Sequence, residues 1–504
     1  RDLKKHHQLI SILSVTKRTL ANVVKPSLTR TSFILLGASG DLANHEIYPS
    51  LWYLYRDNRL PNNTKIFGYA RRKRTINDLR KSVEPYVTVN PREKKLYDEF
   101  WSLNAYISGS GTEDADYETI RKAIDEFEDG AEGNRLFYLA IPPTVFMNAT
   151  SQIKRVAMAK TGWTRIVVEK PFGHDSESAN KLNQHLRKLF TEDQIYRNDH
   201  FLNYEMVQNI FSLRFANRLL APAWNKENIA AVAIDLKENV NIEGHGASFD
   251  KTNFIRDVMQ NHLLQMMSLI AMERPKSKNP DDVRDAKVQF LKSVRKIVID
   301  DVVLGQYVAN PDSKDPRARV GYRDESSVPD DSITASFALT VLRVDSKRWR
   351  NVPFILRAGK AMNLNQTQII IQFKDVEAGM FDNQPKRNEL ILTVKGIEGL
   401  QAKMTSKVPG YSSELEEINL DFKYAEEHKG FRIPLAFEKS IFYVFQGAQS
   451  KFVRFEEIKE AWRIFTPVLR EIEGKKIRPL AYKFGSTGPI EAEEMEKRNN
   501  FLRD

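Results

Sequence analysis

The sequence predicts an α/β protein in two parts: an N-terminal doubly wound parallel sheet, then a β+α domain built on a large, mostly antiparallel sheet. Three observations support this. Between residues 33 and 173, four short and nearly unbroken apolar runs alternate with helical stretches, the pattern of a parallel sheet buried on both faces. The first run leads into two closely spaced glycines and a helix start. Beyond about residue 200, strands of alternating polarity follow one another, as in an antiparallel sheet covered by helices on one face.

In chain order, strands are expected at Phe33–Leu36 in "SFILLGASGDLA", at 64–70 ("TKIFGYA"), at 135–143 ("RLFYLAIPP") and at 164–173 ("TRIVVEKPFG"), with helices over 75–85 and 114–127. In the second part, helices over 203–216 and 253–273 are interleaved with strands in 332–344, 367–373 and 388–394. The change of pattern places a boundary near residue 200, with a nucleotide domain over 32–200 and a substrate and oligomerisation domain over 201–504. Residues 1–31 carry seven Lys/Arg against one acid, Asp2, and an apolar stripe through Ile10, Ile12, Leu13 and Leu20. They read as an N-terminal arm, disordered or docked, with a transit-type helix as the alternative.

The chain has 504 residues, 41% hydrophobic and 28% charged, which is enough for two or three domains with a sizeable core. No apolar run approaches the length of a membrane span. The net charge of +11 is spread among 77 Lys/Arg and 66 Asp/Glu, and the densest cluster, "RRKR" at 71–74, is four residues long. Anionic small molecules suit this charge better than nucleic acid. Cysteine is absent, which excludes disulfides, thiolate metal sites and a cysteine nucleophile. No metal site is read.

Gly37 and Gly40 stand at G-x-x-G spacing between strand and helix, with Ala43 three residues on. In a Rossmann-type turn, glycine lets a pyrophosphate approach the backbone amides and the positive helix end. The second strand ends in "GYARRKR" and offers Arg71 where NAD sites carry Asp or Glu. A cation there favours the 2′-phosphate of NADP. Three polar features then lie at strand ends or helix starts: Lys170 in "VVEKPFG", the pair Asp199–His200, and Asp257 with His262 in "FIRDVMQNHLLQ". Val258, His262 and Met266 share a face by i, i+4 spacing. A lone histidine there is ordinarily core. Beside a dinucleotide fold, histidine with a carboxylate partner is instead the natural base for oxidising an alcohol.

"GASGDLA", "GYAR", "EKPFG", "DH" with "EMVQN", "IRDVMQNHLLQ" and "PFILRAGKAMN" together resemble the glucose-6-phosphate dehydrogenase family, in order from about residue 33 to 495. The resemblance implies a cytoplasmic, NADP-dependent enzyme, dimeric or tetrameric. It would oxidise glucose 6-phosphate to 6-phosphoglucono-1,5-lactone at the entry to the pentose phosphate pathway. It implies His262 as base and Asp199 as its partner. Lys170, His200, Tyr204, Glu238, Asp257 and Lys360 fall at substrate positions. Gly37, Ala38, Ser39, Gly40, Asp41, Leu42, Arg71 and Lys170 fall at coenzyme positions.

The phosphate end departs from the family pattern. R-I-D-H-Y-L-G-K-E is "RNDHFLNYE" here, so a tyrosine becomes Phe201 and the phosphate-binding lysine becomes Tyr204; a substrate-contacting arginine becomes Asn365. The coenzyme turn departs too: Asn44, His45 and Glu46 stand where members often carry a K-K-K run, and Glu46 puts an anion where a cation would face NADP. Two lost charge-assisted bonds cost about 3–6 kcal/mol, so the expectation is an active site with a weakened grip on phosphate. The alternatives are a dehydrogenase of another sugar, or an impaired homologue serving as structural or regulatory partner. Arg357, Lys403 and Asp421 match a second, structural NADP site, whereas Gln366, Ile370 and Thr393 stand where Lys or Arg is expected.

Overall fold

A computed structural model describes residues 29–503 apart from 112, 243, 378 and 382–384. Of the arm expected over 1–31, residues 1–28 lie outside the described residues. Arg30 and Thr31 open the first strand instead.

The first sheet contains β1 (Arg30–Leu36), β2 (Thr64–Ala70), β3 (Asn104–Ser108), β4 (Gly133–Leu139), β5 (Thr164–Glu169) and β6 (Ile195–Asn198). All are parallel, in the order 3-2-1-4-5-6. This is the dinucleotide-binding arrangement, in which the strand order reverses beside β1. The apolar runs form β1, β2, β4 and β5 because both sheet faces are covered. β3 and β6 carry too few residues to show such a run. The expected helices appear as α1 (Ile76–Val83) and α2 (Asp114–Glu128). α1 is started by a reciprocal cap in which Thr75 and Asp78 exchange bonds of 2.9 and 3.1 Å. α2 buries Tyr117, Ile120 and Ile124 on one helical stripe.

The second sheet has nine strands: β7 (Ile229–Lys237), β8 (Val302–Val308), β9 (Phe337–Leu342), β10 (Phe354–Gly359), β11 (Gln366–Phe373), β12 (Glu389–Lys395), β13 (Gly399–Lys407), β14 (Leu415–Lys423) and β15 (Leu480–Lys483). Their order is 14-13-12-11-7-10-9-8-15. Only β7–β10 and β8–β15 pair in parallel. The central strands β9 and β10 are buried throughout, whereas β13 and β14 are partly exposed, with Met404 43% and Leu420 55% accessible.

The two sheets share more than a chain connection. Helix α3 (Ala436–Gln446) comes from the distal part of the sequence. Its Phe437, Ile441, Val444 and Phe445 nevertheless belong to the core around Phe33, Tyr138 and Tyr196 of the first sheet. Arg165 of β5 donates to the Val444 and Phe445 carbonyls at 2.8 and 2.9 Å. A cation thus closes the helix end where carbonyls lack partners.

Gly37 takes φ +92, and a Cβ there would lie 2.0 Å from the Ala140 carbonyl oxygen. The residue is required because the turn after β1 crosses the end of β4. We expect Gly37→Ala to destabilise the protein by at least about 2 kcal/mol and to abolish dinucleotide binding, as read by urea unfolding and nucleotide titration.

Candidate active site

The site is assembled from strand ends. Asp199 directly follows β6 and caps a single 3₁₀ turn, His200–Asn203, accepting a bond of 3.2 Å from the Phe201 amide. His262 lies not in a uniform α-helix over 253–273 but in a π-helical stretch, Ile255–Leu263, entered after Asn253 at φ +56. Val258, His262 and Met266 are all buried, as their spacing predicts. The wider π turn also draws residues five apart toward one face, which suits Asp257 and His262.

His262 Nδ1 and Asp199 Oδ1 are 2.5 Å apart, and the residues are only 2% and 1% exposed. Burial alone would raise the Asp199 pKa, but the imidazole beside it holds the carboxyl below its ordinary value. The ionised Asp199 therefore accepts the Nδ1 proton, and Nε2 of His262 is left with the lone pair. Such an arrangement can take up a proton and stabilise the resulting imidazolium.

Next to it, Lys170 donates to the Asp257 carboxylate at 2.8 Å and to its carbonyl at 2.9 Å. Burial opposes both charges. Their mutual attraction wins, raising the Lys170 pKa and lowering that of Asp257. Lys360 and Glu238 pair at 2.5 Å. Parallel pairing of β7 with β10, in register at Lys237 and Gly359, brings the residues after the two strands together. The structure brings the six side chains together as three close pairs, Asp199–His262, Lys170–Asp257 and Glu238–Lys360.

The 200–206 segment is different in character. His200 stacks on Phe437 at 4.7 Å and meets His262 edge-on at 4.8 Å. Burial first, then the neighbouring His262, pushes its pKa well below the ordinary histidine value. Phe201 stacks on His262 at 4.3 Å. Tyr204 heads the helix Glu205–Phe215, but that helix start is already engaged: the Met206 amide donates to Glu398 Oε2 at 3.2 Å. Asn365 is exposed.

A cleft of 530 Å³ opens at the carboxyl ends of β1, β2 and β4, lined by Gly37, Ser39, Gly40, Asp41, Arg71 and Arg72 among others. It fits a dinucleotide at the point where the strand order reverses. Among the described residues neither Arg71 nor Arg72 makes an ion pair, so both guanidiniums are available to an anion. Ala38 contributes only backbone, because its side chain is fully buried. Leu42 is half-buried beside the turn. The Gly37 and Gly40 amides close the turn itself, bonding to Tyr69 and Gly37 carbonyls at 2.8 and 3.0 Å. Glu46 is half-buried, and its pKa is raised by burial against the pull of Lys395. At the expected second nucleotide site, Arg357 is bonded to Glu496 at 3.0 and 3.1 Å and Lys403 pairs with Glu389 at 3.1 Å. Both cations are committed within the chain. Among the described residues no cluster of His, Asp or Glu suits a metal ion.

Sequence reasoning missed Glu169, which ends β5. It is 6% exposed and accepts from Tyr138 Oη and, at 2.8 Å, from Asn198 Nδ2. The signal was a carboxylate closing a wholly apolar run. Burial pushes its pKa up to about 7, against the lowering effect of those two donors and of Lys170. The folded state therefore holds a proton that the unfolded chain releases, between about pH 4.5 and 7. Stability contributed by Glu169 falls as pH rises through that window. Glu169→Gln keeps an acceptor for both donors and removes the slope. In urea unfolding from acid to alkaline pH, we expect it to gain about 3 kcal/mol on the wild type at the alkaline end.

Comparison with known proteins agrees with this geometry. Residues 34–209 match the glucose-6-phosphate dehydrogenase NAD binding domain, and residues 211–502 match the C-terminal domain of the same family. A glucose-6-phosphate 1-dehydrogenase of Drosophila melanogaster is 48% identical over 93% of this chain and 90% of its own length. That of Takifugu rubripes is 48% identical over 93% and 88%. A solved glucose-6-phosphate dehydrogenase in complex with its substrate glucose-6-phosphate superposes with a TM-score of 0.88 at 40% identity, covering 94% of this chain and 99% of that one. The enzyme from Mycobacterium avium gives 0.79 at 30%, covering 92% and 96%. Matched in both halves, and 48% identical to a relative over 93% of its length, the chain belongs to the glucose-6-phosphate dehydrogenase family.

Proposed function

We propose that the protein oxidises glucose 6-phosphate to 6-phosphoglucono-1,5-lactone with NADP. The observation that carries this reading is the buried Asp199–His262 pair, set beside Lys170–Asp257 and Glu238–Lys360. The dinucleotide, when bound, supplies the hydride acceptor. His262 Nε2 takes the proton of the C1 hydroxyl as C1 loses its hydride, leaving the lactone carbonyl. Asp199 stabilises the imidazolium so formed. Lys170, Asp257, Glu238 and Lys360 hold the sugar hydroxyls, which orients C1 toward His262. Gly37, Ala38, Ser39, Gly40, Asp41 and Leu42 in the turn after β1, with Lys170, would hold the coenzyme, and Arg71 would supply a cation for its 2′-phosphate.

The chain divides near residue 200 into coenzyme and substrate domains. The partly exposed β13–β14 face, with Met404 and Leu420, suits cover by a second copy in a dimer or tetramer. Among the described residues no helix is long and apolar enough to cross a membrane. We place the enzyme in the cytoplasm on family grounds alone.

Steady-state assays of NADPH formation with glucose 6-phosphate test the reading, and no turnover at saturating substrate would sink it. His262→Asn is expected to lower kcat by roughly 10³-fold with little change in KM. Arg71→Asp is expected to reduce the preference for NADP over NAD, read as the ratio of kcat/KM values, on the order of 10- to 100-fold.

A further inference from the structure

Away from the catalytic pair, a second pocket of 260 Å³ opens where two helices end. One is Glu205–Phe215, which begins beside Tyr204; the other is Leu264–Ala271, which continues the stretch holding His262. At 1.5 Å per residue the first helix carries Arg214 about 14 Å from its start, and no residue of the sugar or coenzyme site lines this pocket. The last three carbonyls of the second helix are already taken. Arg214 Nη1 donates to Leu269 at 2.8 Å, Trp224 Nε1 to Ile270 at 2.8 Å and Trp349 Nε1 to Ala271 at 2.7 Å.

That single bond leaves most of Arg214 unused. The residue is 6% exposed and makes no ion pair among the described residues. Its Nε is buried without a hydrogen-bond partner. Burial, with Arg348 beside it, lowers its pKa to about 9, against the pull of Glu273, so it stays charged at neutral pH. Its guanidinium rests over the rings of Phe215 and Trp224, at 4.6 and 5.8 Å. Glu273 lines the same pocket, but Arg348 grips both its oxygens at 2.8–3.1 Å. Arg218 and Arg274, also in the lining, are exposed and make no ion pair among the described residues. Four guanidiniums therefore share one carboxylate, and a buried charge without an anion is costly.

We propose that this pocket binds a phosphoryl oxyanion, inorganic phosphate or a small phosphomonoester, with Arg214 at its base and Arg218 and Arg274 at its rim. Planar guanidiniums pair with phosphate oxygens two at a time, and the excess of positive charge suits a dianion. The volume lies below the range of about 300–1,000 Å³ that larger ligands occupy, which is too small for a nucleotide. Arg348, tied to Glu273 and to the Trp224 carbonyl at 3.1 Å, forms a fixed wall. Glu273 is the opposing charge that sets the affinity. The bound anion would join the far ends of the two helices that lead back to Tyr204 and His262.

Calorimetric titration of the full chain with inorganic phosphate, and in parallel with methyl phosphate, tests this at constant ionic strength in chloride. Phosphate held at the sugar or coenzyme site contributes equally to every variant, because none of the replaced residues lines either. Arg218→Gln combined with Arg274→Gln, both at exposed positions, should weaken the pocket's binding on the order of 10- to 100-fold. Arg214→Gln should abolish it; if that buried replacement fails to fold, the exposed pair carries the test. Glu273→Gln should tighten binding several-fold. Stronger binding of inorganic phosphate than of methyl phosphate assigns the pocket to the free ion, and the reverse to an ester. Equal phosphate binding by the wild type and the double variant would overturn the proposal, as would equal competition by chloride. A double variant altered only in its association state would overturn it too, in favour of a contact with a second copy.

Discussion

Everything at the centre of this molecule depends on a carboxylate–histidine pair that water does not reach. Asp199 and His262 are almost fully buried, and removing either partner from such a pair costs about 3–5 kcal/mol, because the other is left charged and unsolvated. The pair is tolerable only because each residue is held by its own backbone. Asp199 is anchored by the 3₁₀ turn it caps, and His262 by the π stretch around it. It ties the last strand of one sheet to a helix lying over the other. That contact therefore sets how the two halves sit together.

Around that pair, charge is arranged with an economy of segments. Lys170, Asp199, Glu238 and Lys360 are each the first residue past a strand. Strand ends are the most rigid places from which a side chain can still face a cleft, and parallel pairing sets neighbouring ends level with one another. This explains the Glu238–Lys360 pair, whose members follow two parallel strands, whereas Lys170 and Asp199 find their partners, Asp257 and His262, on the π stretch. The coenzyme cleft follows the opposite logic. Its glycines serve the crossing of two backbones, and its charge stands on the guanidiniums of Arg71 and Arg72, which make no ion pair among the described residues.

Much of this was legible in the sequence because the deciding residues are local. Apolar runs over Phe33–Leu36, 64–70 and 164–169 admit no reading other than strands covered on both sides. His262 with Asp257, and Asp199 with His200, stand in short motifs whose context singled them out. What was not legible is non-local or too brief. β3 and β6 span five and four residues, too few for a pattern to rise above chance. The π stretch has no compositional mark, so an i, i+4 reading of 258, 262 and 266 was natural though incomplete. Glu169 looks like any strand-ending carboxylate until Tyr138 and Asn198 are seen to enclose it.

The placement of α3 carries a consequence for how the protein is made. Phe437, Ile441, Val444 and Phe445 complete a core whose other walls, from Phe33 to Tyr196, are synthesised some 240–400 residues earlier. Until the ribosome has delivered that late helix, the first sheet presents an uncovered aromatic surface and the Arg165 guanidinium has no helix end to close. The N-terminal half therefore emerges with that surface uncovered. Its sheet is covered only once α3 has been made, so truncations before residue 436 that spare the whole glycine turn still leave it open on one side.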